Sequence, residues 1–437
     1  MSEPAKDGTG MPLHTRILLG LVIGAAVGIA ANVFIGPDSA LVRDANTYVA
    51  GPVGQVFLRI LFMIVMPLIF ASISLGVAGI GDVRRLGRIG GKTMLYFAVS
   101  TTLAASLGLA LVSIVRPGNK VSAETRTELM ASYATDASAR IATQQQQQFG
   151  IGTIVAIVTR NPIKSAADGD LLGVIFFSLM FGAALTLIPV ATAKPMIDVL
   201  TALNDVVITI VGMAMRMAPY GVAALIFGMT SMFGFALLAP LGYYVAIVLG
   251  GLLLHVVVTL SFMIRFGAGM SPAAFVRRAS KAIVTAFSTS SSSGTLPTSI
   301  ETGITRFGFP KELAGFVLPL GATMNMNGTS LFEGVTVLFL AQVFGVDLTL
   351  GQMIVVMLMS VITAIGAAGV PGGSIPLLVG ILAMFGIPPE GIAIILGIDR
   401  ILDMSRTTVN VFGDLVATSV VGRSEKVWDP SMLPAQR

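Results

Sequence analysis

An all-α membrane protein with many crossings is the fold class the sequence predicts, and three observations carry that prediction. Of 437 residues, 54% are hydrophobic and only 11% charged, against about 45–50% and about 25% in soluble domains. Charge-free runs at 17 to 36, 60 to 81, 93 to 115, 171 to 193 and 217 to 264 match the roughly 20 helical residues that cross a hydrocarbon core about 30 Å thick. The last run is long enough for two crossings. Most of the Lys and Arg, although the net charge is +5, sit in short segments between these runs, where they act as topology signals and not as a nucleic-acid footprint.

The first run reads as a retained helix and not a signal peptide, because it lacks an obvious cleavage site and further spans follow it. Arg84, Arg85, Arg88 and Lys92, then Lys194, then Arg265, Arg277, Arg278 and Lys281 all fall on the side of the N-terminus, which sets both termini in the cytoplasm. Residues 37 to 50, the stretch from 117 and the turn near Met232 fall outside. The stretch 117 to 148, with its Gln144 to Gln148 run, reads as a solvated external loop. Zero Cys excludes disulfides, zinc-thiolate sites and thiol nucleophiles, and His14 and His255 are too few for a His-based metal cluster.

Two segments interrupt the pattern. Ala282 to Ile300 has 19 uncharged residues, but basic residues flank it on both sides and its middle reads Ser288-Thr289-Ser290-Ser291-Ser292-Ser293-Gly294-Thr295-Leu296-Pro297. A re-entrant hairpin with short arms fits this better than a kinked single helix, since such a tip persists at membrane depth only where protein or water satisfies its backbone. Leu348 to Pro389 spans 42 uncharged residues broken by Gly366 to Pro376, and reads as a second hairpin entering from the opposite face. Each hairpin precedes a helix bearing polar residues, at 282 to 346 and 348 to 421. Opposed, Gly/Pro-interrupted hairpins point to an inverted-repeat transporter with its site near the midplane.

The final span carries Asp399, Arg400, Asp403, Arg406 and Asp414 in an otherwise apolar stretch. At about 100° per residue, Asp399, Asp403, Arg406, Thr407, Asn410 and Asp414 share a sector roughly 100° wide, so the stripe faces protein or water. One reading is a helix held to its neighbours by buried ion pairs such as Asp399 with Arg406. The other is a site for a zwitterionic anion: Arg406 grips a carboxylate with two prongs, Asp403 accepts an ammonium, and Thr407 and Asn410 fix orientation. In the preceding helix, Gly321-Ala322-Thr323-Met324-Asn325-Met326-Asn327-Gly328-Thr329 suggests an unwound turn. Its carbonyls, with the Asn amides and Asp414, offer oxygen ligands to an alkali cation. No Gly-x-x-x-x-Gly-Lys-Ser/Thr loop is present, so an ion gradient is the energy source. An ion channel and an intramembrane serine hydrolase remain as readings from other classes.

The residues Ser291-Ser292-Ser293-Gly294-Thr295-Leu296-Pro297, Asn325-Met326-x-Gly328-Thr329, Gly369-Val370-Pro371-Gly372 and Asp399-Arg400-Ile401-Leu402-Asp403-Met404-x-Arg406-Thr407-x-x-Asn410 closely resemble the dicarboxylate/amino acid:cation symporter family, which includes archaeal aspartate transporters and the excitatory amino acid transporters. The likeness covers nearly the whole chain. It implies a homotrimer in the cytoplasmic (inner) membrane, each protomer with eight transmembrane helices and two opposed re-entrant helical hairpins, moving as an elevator. The implied segments are scaffold helices 1 and 2 (1–92), transport-domain helix 3 (93–116), an external loop (117–150), scaffold helices 4 and 5 (151–235), transport-domain helix 6 (236–269), hairpin 1 with helix 7 (270–346), hairpin 2 with helix 8 (347–422) and a cytoplasmic tail (423–437).

Carried over by motif, the resemblance implies substrate contacts from Ser290, Ser292, Thr329, Val370, Asp403, Arg406, Thr407 and Asn410. It implies one sodium held by Gly321, Asn325, Asn410 and Asp414, and another by Thr323 with carbonyls near Ala364 and Ile365. Arg406 is what acidic-substrate members carry, and Asp403 separates the amino acid carriers from the C4-dicarboxylate branch. The expected cargo is thus L-aspartate or L-glutamate with Na+, and H+ as a second coupling ion. Three departures stand out. A third sodium site would use an Asp where this chain has Asn327, near Phe97, Ser100 and Thr101. The second Arg of many relatives, at the position of Ser290 or of Met404, is missing. Glu333 stands where excitatory transporters carry a protonatable glutamate, and so is a candidate proton carrier.

Overall fold

The computed structural model describes residues 13–83, 88–122, 158–168, 171–367, 369–396 and 398–433, with Met11 and Thr127. Most of the expected external loop and the glutamine run lie outside the described residues. The helices of ten residues or more are α1 (Leu13–Ala30), α2 (Gly51–Met63), α3 (Val65–Val83), α4 (Arg88–Val115), α5 (Leu171–Leu187), α6 (Val190–Phe233), α7 (Leu238–Leu254), α8 (Pro272–Thr289), α9 (Ser292–Phe307), α10 (Lys311–Met324), α11 (Asn327–Val343), α12 (Leu350–Gly366), α13 (Ile375–Met384) and α14 (Asp399–Ser424). Four helical segments, Thr15–Ile35, Arg88–Lys120, Val190–Phe233 and Pro240–Ala268, are long and apolar enough to cross a membrane.

Helices α1, α2, α3, α5 and α6 pack on one another, and α4 packs with α7 to α14 in a second group. The two groups meet where α12 lies against α3, where α13 lies against α2 and α3, and where Ala393–Leu396 lies against α6. A Cβ on Gly372, in the turn before α13, would lie 3.1 Å from Met215 Sδ on α6.

Charge-free runs misplace several boundaries. Lys194, read from sequence as a loop residue, lies inside the 44-residue helix α6 and pairs with Asp198 one turn on at 2.8 Å. At 1.5 Å per residue α6 is about 66 Å long, so it projects well beyond a hydrocarbon core. Residues 40–50, read as external loop, are helical, with Ser39 Oγ accepting the Val42 N–H at the start. The first hairpin's arms, α8 and α9, have 18 and 16 residues and are not short. Charged residues continue both arms past the apolar run and stitch them antiparallel. Lys281 meets Glu301 at 2.7 Å and Arg278 donates to the Arg306 carbonyl at 2.6 Å.

Local signals explain the ends. Ser271 caps α8 with Pro272 in its first turn, and Ser291 caps α9 through the Gly294 N–H. Thr349 and Gln352 form a capping box on α12. Beyond α14, Glu425 joins Arg88 and Lys92 of α4. The Lys92 ammonium, with Arg88 beside it, holds the Glu425 carboxyl below the usual carboxylate range. Trp428 is buried and donates its indole N–H to the Phe307 carbonyl at 2.7 Å, which ties the C-terminal strap to the end of the first hairpin.

Candidate functional site

The break between α10 and α11 organises the site. Asn325 and Met326 leave helical geometry, with φ −103°, ψ 64° and φ −98°, ψ 62°. The first N–H groups of α11 therefore lack intrahelical partners. Asn410 of α14 supplies one: its Oδ1 accepts from Gly328 N at 2.7 Å and its Nδ2 donates to Thr329 Oγ1 at 3.1 Å. Gly328 is required for this approach, because a Cβ there would lie 2.4 Å from the Arg406 carbonyl oxygen. Gly321 has a similar role, since its Cβ would sit 2.5 Å from Asp414 Oδ1.

All six stripe residues of α14 are buried, each at 5% exposure or less. Arg406 Nη1 lies 2.9 Å from Asp399 Oδ1, and its Nε donates to Asp403 Oδ1 at 3.1 Å. The guanidinium stacks 4.2 Å from the Phe332 ring centroid. The ion pair foreseen as the bland reading of the stripe is therefore present, and it lines a chamber as well. Asp403 Oδ2 accepts from Gly372 N at 3.1 Å and lies 3.8 Å from Arg400 Nη1.

The two interrupted tips meet above this cluster. Ser291 Oγ donates to the Gly369 carbonyl at 2.6 Å, and Ser293 N donates to the same oxygen at 3.1 Å. Ser290 takes the left-handed conformation, φ 50°, to end α8. Between the tips and α14 lies a tight, largely filled pocket whose lining includes Ser290, Ser292, Thr329, Val370, Asp403, Arg406, Thr407 and Asn410. All eight substrate candidates thus meet in one place. Met326, Ala367, Gly369 and Ser374 also line it. Met326 and Gly369 stood in the motifs, and Ala367 and Ser374 in the second tip's interruption, but none of the four was named as lining.

The sodium candidates divide. Asn325 Nδ2 donates to Asp414 Oδ1 at 2.9 Å, beside Gly321 and one turn beyond Asn410. Thr323 is exposed and gives its hydroxyl to the Leu320 carbonyl, while Ala364 is fully buried and Ile365 is partly exposed. This second group is not drawn into the closed network. Ser100, Thr101 and Asn327 do come together: Asn327 Oδ1 accepts from Thr101 Oγ1 at 2.9 Å, and Ser100 Oγ lies 3.3 Å from the same oxygen and 3.2 Å from Asn325 Oδ1. Glu333, fully buried, touches Thr363 Oγ1 at 2.7 Å.

Residues 13–424 match the sodium:dicarboxylate symporter family along almost the whole described fold. The chain belongs to that family. It is accordingly a multi-pass membrane transporter and not an enzyme. The chain is similar to the proton/glutamate-aspartate symporter of Escherichia coli, at 36% identity over 95% of this chain and 94% of that protein. It is equally similar, at 36% over 96% and 94%, to the proton/sodium-glutamate symport protein of Bacillus subtilis. A C4-dicarboxylate transport protein of Bacillus subtilis is 33% identical over 95% and 94%.

Proposed function

We propose that this symporter imports an acidic amino acid, L-aspartate or L-glutamate, with sodium ions and protons by alternating access. The observation that carries the reading is the pairing of Arg406 and Asp403 inside one buried chamber. A zwitterionic anion can enter by exchange: its side-chain carboxylate takes the Arg406 edge that Asp403 holds, and Asp403 turns to the ammonium. One ion pair becomes two, which offsets the desolvation of the incoming charges. Relatives at 36% identity that carry glutamate or aspartate support the same substrate class.

The unequal covering of the hairpins supports alternating access. The second hairpin packs on α2 and α3. The first leaves Ser293, Gly294 and Val284 exposed. We read α1, α2, α3, α5 and α6 as the scaffold of a homotrimer in the cytoplasmic membrane. On that reading α4, α7 and both hairpins with their helices move as the transport domain, now turned towards the cytoplasm.

Sodium is held at Asp414 with Asn325, Asn410 and Gly321, and a second ion at Thr323 with the carbonyls of Ala364 and Ile365 once the second hairpin shifts. The Asn327 oxygen is already engaged by the Thr101 hydroxyl and brings no negative charge. A third sodium would be buried without a counter-charge, which costs several kcal/mol, and a proton on Glu333 replaces it. With a substrate of charge −1, two monovalent cations at tenfold gradients and 100 mV already supply roughly 5 kcal/mol, or nearly 10⁴-fold accumulation, before the proton is counted.

Purified protein in proteoliposomes, with sodium, proton and voltage gradients imposed separately, tests this reading. Labelled aspartate uptake should rise with sodium at a Hill slope nearer two than three, and excess succinate should leave it unchanged, because succinate has no ammonium for Asp403. Transport of succinate as well as aspartate would overturn the Asp403 assignment and favour the C4-dicarboxylate alternative, for which the 33% identical relative speaks.

A further inference from the structure

Asp403 stands three residues after Arg400 and three before Arg406 on α14, and side chains three apart on a helix are neighbours. The structure uses the two arginines unequally. Arg406 Nη2 lies 2.9 Å from Asp403 Oδ1 and its Nη1 2.9 Å from Asp399 Oδ1. Arg400 Nη1 stops 3.8 Å from Asp403 Oδ2, too far for a hydrogen bond. Yet the Arg400 side chain is only 12% exposed, and its Nε is buried without a partner. A guanidinium has five donors and no acceptor, and a buried cation is normally paired. Arg400 also sits in the first turn of α14, where the helix dipole disfavours a positive charge. The closed site therefore holds a cation that it does not fully use.

The charges show where that cation is needed. Arg406 alone faces two carboxylates, Asp399 and Asp403, so without Arg400 the group carries one negative charge in excess and repels an entering anion across a poorly screened interior. Arg400 makes the four side chains neutral. It is not among the residues that line the chamber, so its route to the substrate runs through Asp403. The Oδ2 of Asp403 accepts from Gly372 N at 3.1 Å, and a carboxylate oxygen has room for a second donor.

We infer that Arg400 is the positioning residue that takes over Asp403 when the substrate displaces Asp403 from Arg406. The incoming carboxylate occupies the Arg406 edge, and Asp403 Oδ1 turns to the ammonium. Oδ2 keeps the Gly372 N–H and closes on Arg400 by about 1 Å, to the usual charge-assisted distance of about 2.9 Å. Asp403 thus exchanges one arginine for another and stays ionised and aimed at the ammonium. This rests on the reading of the chamber as a site for an acidic amino acid.

Aspartate binding to the purified protein in sodium, read beside thermal melts with and without aspartate, tests the inference. Arg400→Gln should bind aspartate about 10 to 10²-fold more weakly, the scale of one charge-assisted hydrogen bond, while its substrate-free melting temperature stays at or above the native one. Arg400→Lys keeps the charge and should lose less than tenfold. Should Arg400→Gln not fold, Arg400→Met, which keeps the apolar stem and drops the charge, replaces it with the same expectation. Native aspartate affinity in the uncharged variant, or an equal loss in Arg400→Lys, overturns the role of Arg400. A structural arginine would give the opposite pattern, an earlier substrate-free melt with the aspartate-induced shift intact, and that result overturns it too. Failure of the native protein to bind aspartate, or its displacement there by succinate, overturns the acidic amino acid reading itself, and this inference with it.

Discussion

Replacing Arg406 with Thr should lower aspartate affinity by about 10² to 10⁴-fold, since two charge-assisted hydrogen bonds at about 1.5–3 kcal/mol each are lost. Neutral amino acids such as serine should then compete where they do not compete with the native protein. The same change strips Asp399 and Asp403 of the guanidinium that both contact at 2.9 Å. Leaving buried carboxylates unpaired costs about 3–5 kcal/mol, so the substrate-free variant should also melt earlier. Arg406→Lys separates the two effects, because an ammonium keeps the charge and loses the fork: it should recover most of the melting temperature and little of the aspartate affinity. Competition binding and thermal melts measure both quantities. Native aspartate affinity in Arg406→Thr would refute the assignment.

How much of this was legible beforehand follows from which physics the sequence displays. Charged residues in a long apolar segment are conspicuous because they are expensive there, and their angular spacing alone placed Asp399, Asp403, Arg406, Asn410 and Asp414 on one face. Tips rich in Ser, Gly and Pro were equally visible, and they do meet, through Gly369. Extents were harder. A charge-free run measures what lies in hydrocarbon, whereas a helix continues through charges once water or an ion pair receives them, as Lys194 and Asp198 do in α6 and Lys281 and Glu301 do between α8 and α9.

Pairings between distant elements were not legible at all. Nothing in the spacing of Thr363 or Phe332 announces that one meets Glu333 and the other carries the Arg406 guanidinium. Thr323 shows the opposite case. Its motif placed it among ligands, yet its hydroxyl is spent on the Leu320 carbonyl of its own helix and its side chain is exposed.

Asp414→Asn should abolish most sodium-driven uptake and, with it, the stabilisation that sodium gives the protein. Asp414 is 2% exposed, its Oδ1 accepts from Asn325 Nδ2, and no Lys or Arg pairs with it among the described residues. A buried carboxylate with only an amide donor is short of positive charge, so a bound monovalent cation relieves a strain that the sodium-free protein carries. Two effects of opposite sign follow. Without sodium, the Asn variant should be at least as stable as the native protein, because an uncompensated buried charge has been removed. With sodium, the native protein should melt higher and the variant should not, since ligand stabilisation grows with concentration over the dissociation constant and that constant has risen. Loss of a buried pair worth about 3–5 kcal/mol corresponds to about 10² to 10⁴-fold weaker sodium binding. A purely structural carboxylate would behave differently: its removal would lower stability in both conditions and leave the sodium-dependent shift intact. Melting curves of the two proteins at zero and high sodium, read beside aspartate uptake, decide between these outcomes.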